Sequence, residues 1–121
     1  MFATSDYREL FSLASKLDVP FTLHAGEAAG ADSVRCAIEM GARRIGHGVR
    51  AFEDDALLSL LKGNQIPLEL CPTSNRQTKV VSDMKTYPLS DFVKRELAVT
   101  LNTDNPAISS TTIANEFAYA Q

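Results

Sequence analysis

The chain has 121 residues, 45% hydrophobic and 22% charged, a balance that suits one globular domain with a buried core and excludes a disordered tail. Its formal net charge of -3 is spread over interleaved Lys, Arg, Asp and Glu, so no basic stripe is present to neutralise phosphates, and nucleic acid is not an expected partner. No apolar run approaches a membrane span and no cationic, apolar leader opens the chain, so no membrane partner is expected and the default location is cytoplasmic.

In chain order, Asp6 to Leu17 sets Leu10, Phe11, Leu13, Ala14 and Leu17 at helical spacing, and the turn at Asp18-Val19-Pro20 ends that helix. Phe21 to His24 then reads as a buried strand. A Gly- and Ala-rich loop follows, with Asp32 or Ser33 placed to cap a helix that runs through Val34, Ala37, Ile38 and Met40 and stops at Gly41. Arg44 to His47 is a second short strand. Asp54 to Lys62 repeats the helical pattern with Leu57, Leu58, Leu60 and Leu61, and Ile66 to Leu70 forms a third strand around Pro67. Beyond a polar loop, the pattern predicts a helix over Leu89 to Leu97, a strand over Ala98 to Asn102 and a last helix over Ser109 to Ala120. Phe11, Phe52 and Phe92 read as packing residues. Cys36 and Cys71 are far apart and form no metal clip, so both read as reduced, buried, small apolar residues.

Strands alternating with single helices predict an α/β fold with a parallel sheet, either an open doubly wound sheet or part of an eight-stranded barrel, which typically needs about 250 residues. No Gly-x-Gly-x-x-Gly turn follows any strand, which leaves a dinucleotide site without support. The chemistry of such folds gathers at the carboxyl ends of the strands. There this sequence places His24, Glu27, His47, Glu69, Cys71, Asn75, Asp104 and Asn105, and both histidines of the chain are in the set. Neutral imidazole together with carboxylate suits zinc or a similar divalent ion, and a metal so held lowers the pKa of bound water to about 7. A nearby glutamate is then placed to exchange protons with a substrate. Glu69, within the third strand, receives no role.

Four segments carry a resemblance: His24-Ala25-Gly26-Glu27, Gly46-His47-Gly48, Cys71-Pro72-Thr73-Ser74-Asn75 and Asn102-Thr103-Asp104-Asn105. In this order, each after a predicted strand, they resemble the adenosine and AMP deaminase family, closest to its bacterial type. The resemblance implies that residues 1–121 are a single partial domain, the second half (strands five to eight) of a TIM-type barrel. It implies hydrolytic deamination of adenosine or a related adenine compound to inosine and ammonia, by a metal-activated hydroxide, with only part of the site present. In that scheme His24 and Asp104 are ligands of one zinc ion, Glu27 protonates ring N1 so that C6 becomes electrophilic, and His47 positions the attacking hydroxide. The Cys71–Asn75 segment shapes the site, with no direct role for Ser74 or Asn75.

Two departures stand out. Many family members have an aspartate where this chain has Asn105, whose amide can still donate to a purine ring nitrogen. The family's other two metal ligands come from a His-x-His pair on the first strand, and this sequence has no third histidine. A chain that begins near the helix before the fifth strand is expected to expose sheet edges and an apolar face. It is therefore expected to self-associate or to pair with an amino-terminal half, the alternative reading being an inactive partial barrel that acts as a binding module.

Overall fold

A computed structural model describes residues 4–120; the opening residues 1–3, where a leader was not expected, lie outside that range. Four strands, β1 (Thr22–Ala25), β2 (Arg44–His47), β3 (Leu68–Leu70) and β4 (Val99–Leu101), pair in parallel in the order β1-β2-β3-β4. Sequential order with no reversal decides between the two predicted architectures. A doubly wound sheet changes direction at a switch point, whereas a barrel adds each strand beside the last.

The helices are α1 (Arg8–Lys16), α2 (Ala31–Glu39), α3 (Asp55–Gly63), α4 (Pro72–Gln77), α5 (Leu89–Lys94), α6 (Pro106–Ser109) and α7 (Ile113–Tyr119), with short 3-10 turns at Thr4–Tyr7, Val49–Glu53 and Met84–Thr86. The register puts Leu23, Ile45, Leu68 and Val99 in one cross-sheet row. Leu23, Ile45, Leu68 and Leu70 are buried against Val34, Ala37, Leu57, Leu58, Leu61 and Phe92. This period-2 alternation, with helices over one face, is the source of the core.

The next row is His24, Gly46, Glu69 and Thr100, on the uncovered face. That face is polar: it also carries Thr22 and an Arg44 guanidinium whose Nη1 lies 3.4 Å from Glu69 Oε1. The expected apolar sheet face is therefore absent. Exposed apolar surface lies instead on α1, where Leu10, Leu13 and Leu17 are each more than half exposed, and around α6 and α7 at Ile108, Ile113 and Phe117. Phe52 is likewise exposed and packs in no core.

Three local expectations change. Gly30, not Asp32 or Ser33, is the N-cap of α2. The Ser33 hydroxyl is occupied elsewhere, accepting from the Gly26 N–H at 2.8 Å and donating to the Gly30 carbonyl at 2.7 Å. The polar stretch after β3 opens as helix α4, with Pro72 in its first turn. The last helix, expected from Ser109, begins only at Ile113, after a separate short helix α6 that ends where Ser110 takes φ 51°. Glu116 on α7 is fully buried yet satisfied, accepting from the Thr73 N–H at 3.0 Å and the Thr111 hydroxyl at 2.6 Å, and so ties α7 to α4. Both cysteines are free as expected, Cys71 buried and Cys36 half-buried. Among the described residues no helix is long and apolar enough to cross a membrane.

Candidate active site

Strands β1, β2 and β4 bring the predicted site residues to the same end of the sheet. His24 sits near the end of β1 with its ring 62% exposed, and Glu27 follows in the loop, its Oε2 3.3 Å from His24 Nε2. His47 closes β2, and its ring centroid lies 4.5 Å from that of His24. Asp104 follows β4, with Oδ2 4.0 Å from His47 Nε2. His24, His47, Glu69, Cys71, Asp104 and Ile113 contribute to the wall of one open cavity of about 650 Å³.

Backbone geometry supports this placement. His47 has φ 64° and Asp104 φ 56°, left-handed values that are uncommon for non-glycine residues and that turn the chain just at or after the ends of β2 and β4. The turn at Gly48 (φ 69°) brings the loop after β2 back over the loop after β1, with Gly48 N–H donating to Ala25 O at 2.8 Å and Arg50 N–H to Gly26 O at 3.0 Å. Gly26 (φ 69°) permits the approach, since a Cβ there would lie 2.5 Å from Val34 Cγ2.

The electrostatics separate the groups. His47 is 4% exposed, and burial holds its imidazole below the ordinary range, against the opposing pull of Glu27 and in concert with His24. At neutral pH it is an uncharged ring. Burial first, then the carboxylates of Asp104, Glu116, Glu27 and Glu69, pushes the Cys71 thiol up to about 12, so the thiol keeps its proton at neutral pH and is a poor nucleophile. His24, Glu27 and His47 each offer a ligand atom within 4.8 Å of the others, a grouping able to hold a cation, with Asp104 reaching the same region through His47.

The first turn of α4 holds residues whose contribution the sequence did not disclose. Ser74 Oγ donates to Asp104 Oδ2 at 2.8 Å, and the Asn75 amide nitrogen lies 3.2 Å from Glu27 Oε1 and 3.1 Å from His47 Nδ1. Tyr87 donates to Asn75 Oδ1 at 2.9 Å. A proline opening a helix straight after a strand, followed by Ser and Asn, was the available signal. Asn105 is exposed and caps α6, its Oδ1 accepting from the Ile108 N–H at 3.2 Å, which leaves its NH₂ as the end free to donate.

The sequence profile of the adenosine deaminase family matches residues 2–121. The chain belongs to that family. It is 48% identical to the adenosine deaminase of Haemophilus ducreyi over 117 residues, 97% of this chain and 34% of that protein. The family fold is equally evident in solved structures. An adenine deaminase from Arthrobacter aurescens superposes with a TM-score of 0.88 at 30% identity, covering 94% of this chain and 35% of the other. An amidohydrolase from Burkholderia ambifaria with bound Zn superposes at 0.84 with 18% identity, covering 95% and 33%, a likeness of fold alone. The four-stranded sheet is thus part of a TIM-type barrel, and the chain spans about a third of the length of the relatives it matches.

Proposed function

We propose that these residues form one part of the active site of a purine deaminase, which converts adenosine or a related adenine compound and water into inosine, or the matching hydroxypurine, and ammonia. The observation that carries the reading is the convergence of His24, Glu27, His47 and Asp104 on one end of a parallel sheet in a chain of the adenosine deaminase family.

The donor set fits a divalent metal. An accessible imidazole and a carboxylate on the wall of one open cavity are borderline-hard ligands of the kind zinc takes, and His24 and Asp104 would hold it. Two protein ligands are fewer than a catalytic zinc site uses, so two more would come from barrel strands these residues do not include. Bound there, the ion would supply Lewis acidity and make hydroxide available at neutral pH.

The chain's own residues supply the rest. Glu27 is largely shielded, 12% exposed at its side chain, and protonates purine N1, which draws electrons from C6 and opens it to attack. As oxygen adds to C6, His47 stabilises the developing negative charge by hydrogen bonding from an uncharged ring. The C6–N bond then breaks and the amino group leaves as ammonia after taking up a proton. Asn105 would donate to a purine ring nitrogen.

The test is complementation: this chain is mixed with a separately produced amino-terminal half of a family adenosine deaminase and zinc, and adenosine loss is followed by absorbance. The expected result is turnover that falls about 10²–10⁴-fold on Glu27→Gln. A folded, zinc-loaded mixture that never turns over adenosine or adenine would overturn the reading. The exposed leucine face of α1 and the unpaired edges of β1 and β4 favour a second reading, in which these residues pair with further barrel strands or with a second copy.

A further inference from the structure

We infer that Asn75, locked by Tyr87, is a positioning residue that dictates where the protons of both His47 and Glu27 reside; the inference deepens the deaminase reading and takes its catalytic meaning from it. Asn75 is fully buried in the first turn of α4, and its amide meets three partners: Tyr87 Oη at 2.9 Å from Oδ1, with His47 Nδ1 at 3.1 Å and Glu27 Oε1 at 3.2 Å from Nδ2. An amide can be turned either way in such a setting, and a chain of donors decides which way this one faces.

Burial drives the ionisation of the Tyr87 phenol far upward, so Tyr87 keeps its proton. The acceptor within reach is Asn75 Oδ1. With Oδ1 so engaged, the two amide hydrogens point at Glu27 Oε1 and His47 Nδ1. The reverse orientation would set the amide carbonyl against a carboxylate oxygen and turn the Tyr87 proton on an NH₂ group. In a buried cluster those two mismatches outweigh anything the flip would gain.

Two assignments follow. His47 Nδ1 is an acceptor, so the uncharged ring carries its hydrogen on Nε2, the nitrogen 4.0 Å from Asp104 Oδ2. Glu27 Oε1 is likewise engaged as an acceptor, with the Thr78 hydroxyl 3.3 Å from the same oxygen, so a proton on Glu27 resides on Oε2, the oxygen 3.3 Å from His24 Nε2. Asn75 thereby turns one N–H and one O–H toward the side of the site where His24 and Asp104 lie. His47 meets the attacking oxygen as a donor, and Glu27 delivers its proton from the oxygen remote from Asn75.

The experiment reads the tautomer directly. The chain has two histidines, so ¹⁵N-histidine labelling gives two rings, and a His24→Gln variant assigns them. Long-range proton–nitrogen correlation spectra of the chelator-treated chain at pH 8 distinguish a protonated from an unprotonated ring nitrogen. The wild-type chain is expected to show His47 as a single Nε2–H tautomer; an Nδ1–H ring or an averaged one overturns the inference whether or not any variant folds. In Asn75→Leu, which leaves His47 Nδ1 without the amide donor, the preference for Nε2–H is expected to weaken toward an averaged ring. A folded Asn75→Leu protein that keeps a single Nε2–H tautomer also overturns it. Deamination is not read here, so failure of the purine reading leaves the tautomer result intact, and a wrong tautomer leaves the complementation result intact.

Discussion

Cys36 and Cys71 sit in different electrostatic settings, and their chemistry should differ accordingly. With the Cys71 thiol pushed up to about 12 by burial and by the carboxylates around it, alkylation of the folded chain at pH 8 is expected to label Cys36 first, with Cys71 reacting only on unfolding. Peptide mass spectrometry over time checks this, and equal rates would contradict the burial argument. Gly26 offers a second residue-scale prediction. Alanine there combines a left-handed backbone with a Cβ 2.5 Å from Val34 Cγ2, and is expected to cost about 2–4 kcal/mol in urea unfolding. At this scale the sequence was informative near strand ends: His24, Glu27, His47 and Asp104 each lie at, or within three residues of, the end of a strand. Asn75 was placed at a strand end without a direct role, and its link to Tyr87 was not legible, because that role lies in contacts made 48, 28 and 12 residues away in sequence.

Among the elements, α3 shows how a single cap can carry a pH signature. Asp54 accepts from the N–H groups of Ala56 and Leu57 at 2.9 and 3.1 Å and also pairs with Arg35. The Leu57 hydrogen bond, then Arg35, holds its carboxyl below the ordinary value. A depressed carboxylate contributes stability that is fully present above its unfolded-chain value of 3.8 and is lost as pH falls through the lower folded value. Urea unfolding across that range is therefore expected to show the wild-type advantage over Asp54→Asn shrinking in acid; a gap independent of pH would refute it. At the other end of α3, Gly63 faces open space where an alanine methyl would stand, and Gly63→Ala is expected to gain about 0.5–1 kcal/mol. Helices with an apolar stripe were legible in the sequence, and α3 lies within a residue of its expected bounds. Helix α4 was not, because the residues it buries are Pro72, Ser74 and Asn75, and hydrophobic periodicity is blind to a polar buried face.

For the whole molecule, the same blindness runs in reverse. The α1 leucines have the spacing of a core-facing stripe, yet they stand in water here, because periodicity reports that a face is apolar and not what covers it. Leu10→Lys with Leu17→Lys is expected to lower the mass seen by light scattering at a given concentration while changing unfolding stability by less than about 0.5 kcal/mol. Retained association in the double variant would move the contact to the strand edges. Sheet order was the one global feature that had to be seen: the alternation of strands and helices is common to barrels and doubly wound sheets, and β1-β2-β3-β4 separates them.

The backbone bonds from Gly48 to Ala25 and from Arg50 to Gly26 also bear on local stability. They clasp the loop bearing Glu27 to the turn bearing His47 using main chain alone, within two neighbouring strands, and so owe nothing to the seams at β1 and β4. Glu27 and His47 are thus held relative to each other by main-chain bonds between the loops after β1 and β2, whatever meets those seams. In hydrogen exchange the amides of Gly48 and Arg50 should accordingly persist while those at the outer edges of β1 and β4 are lost first.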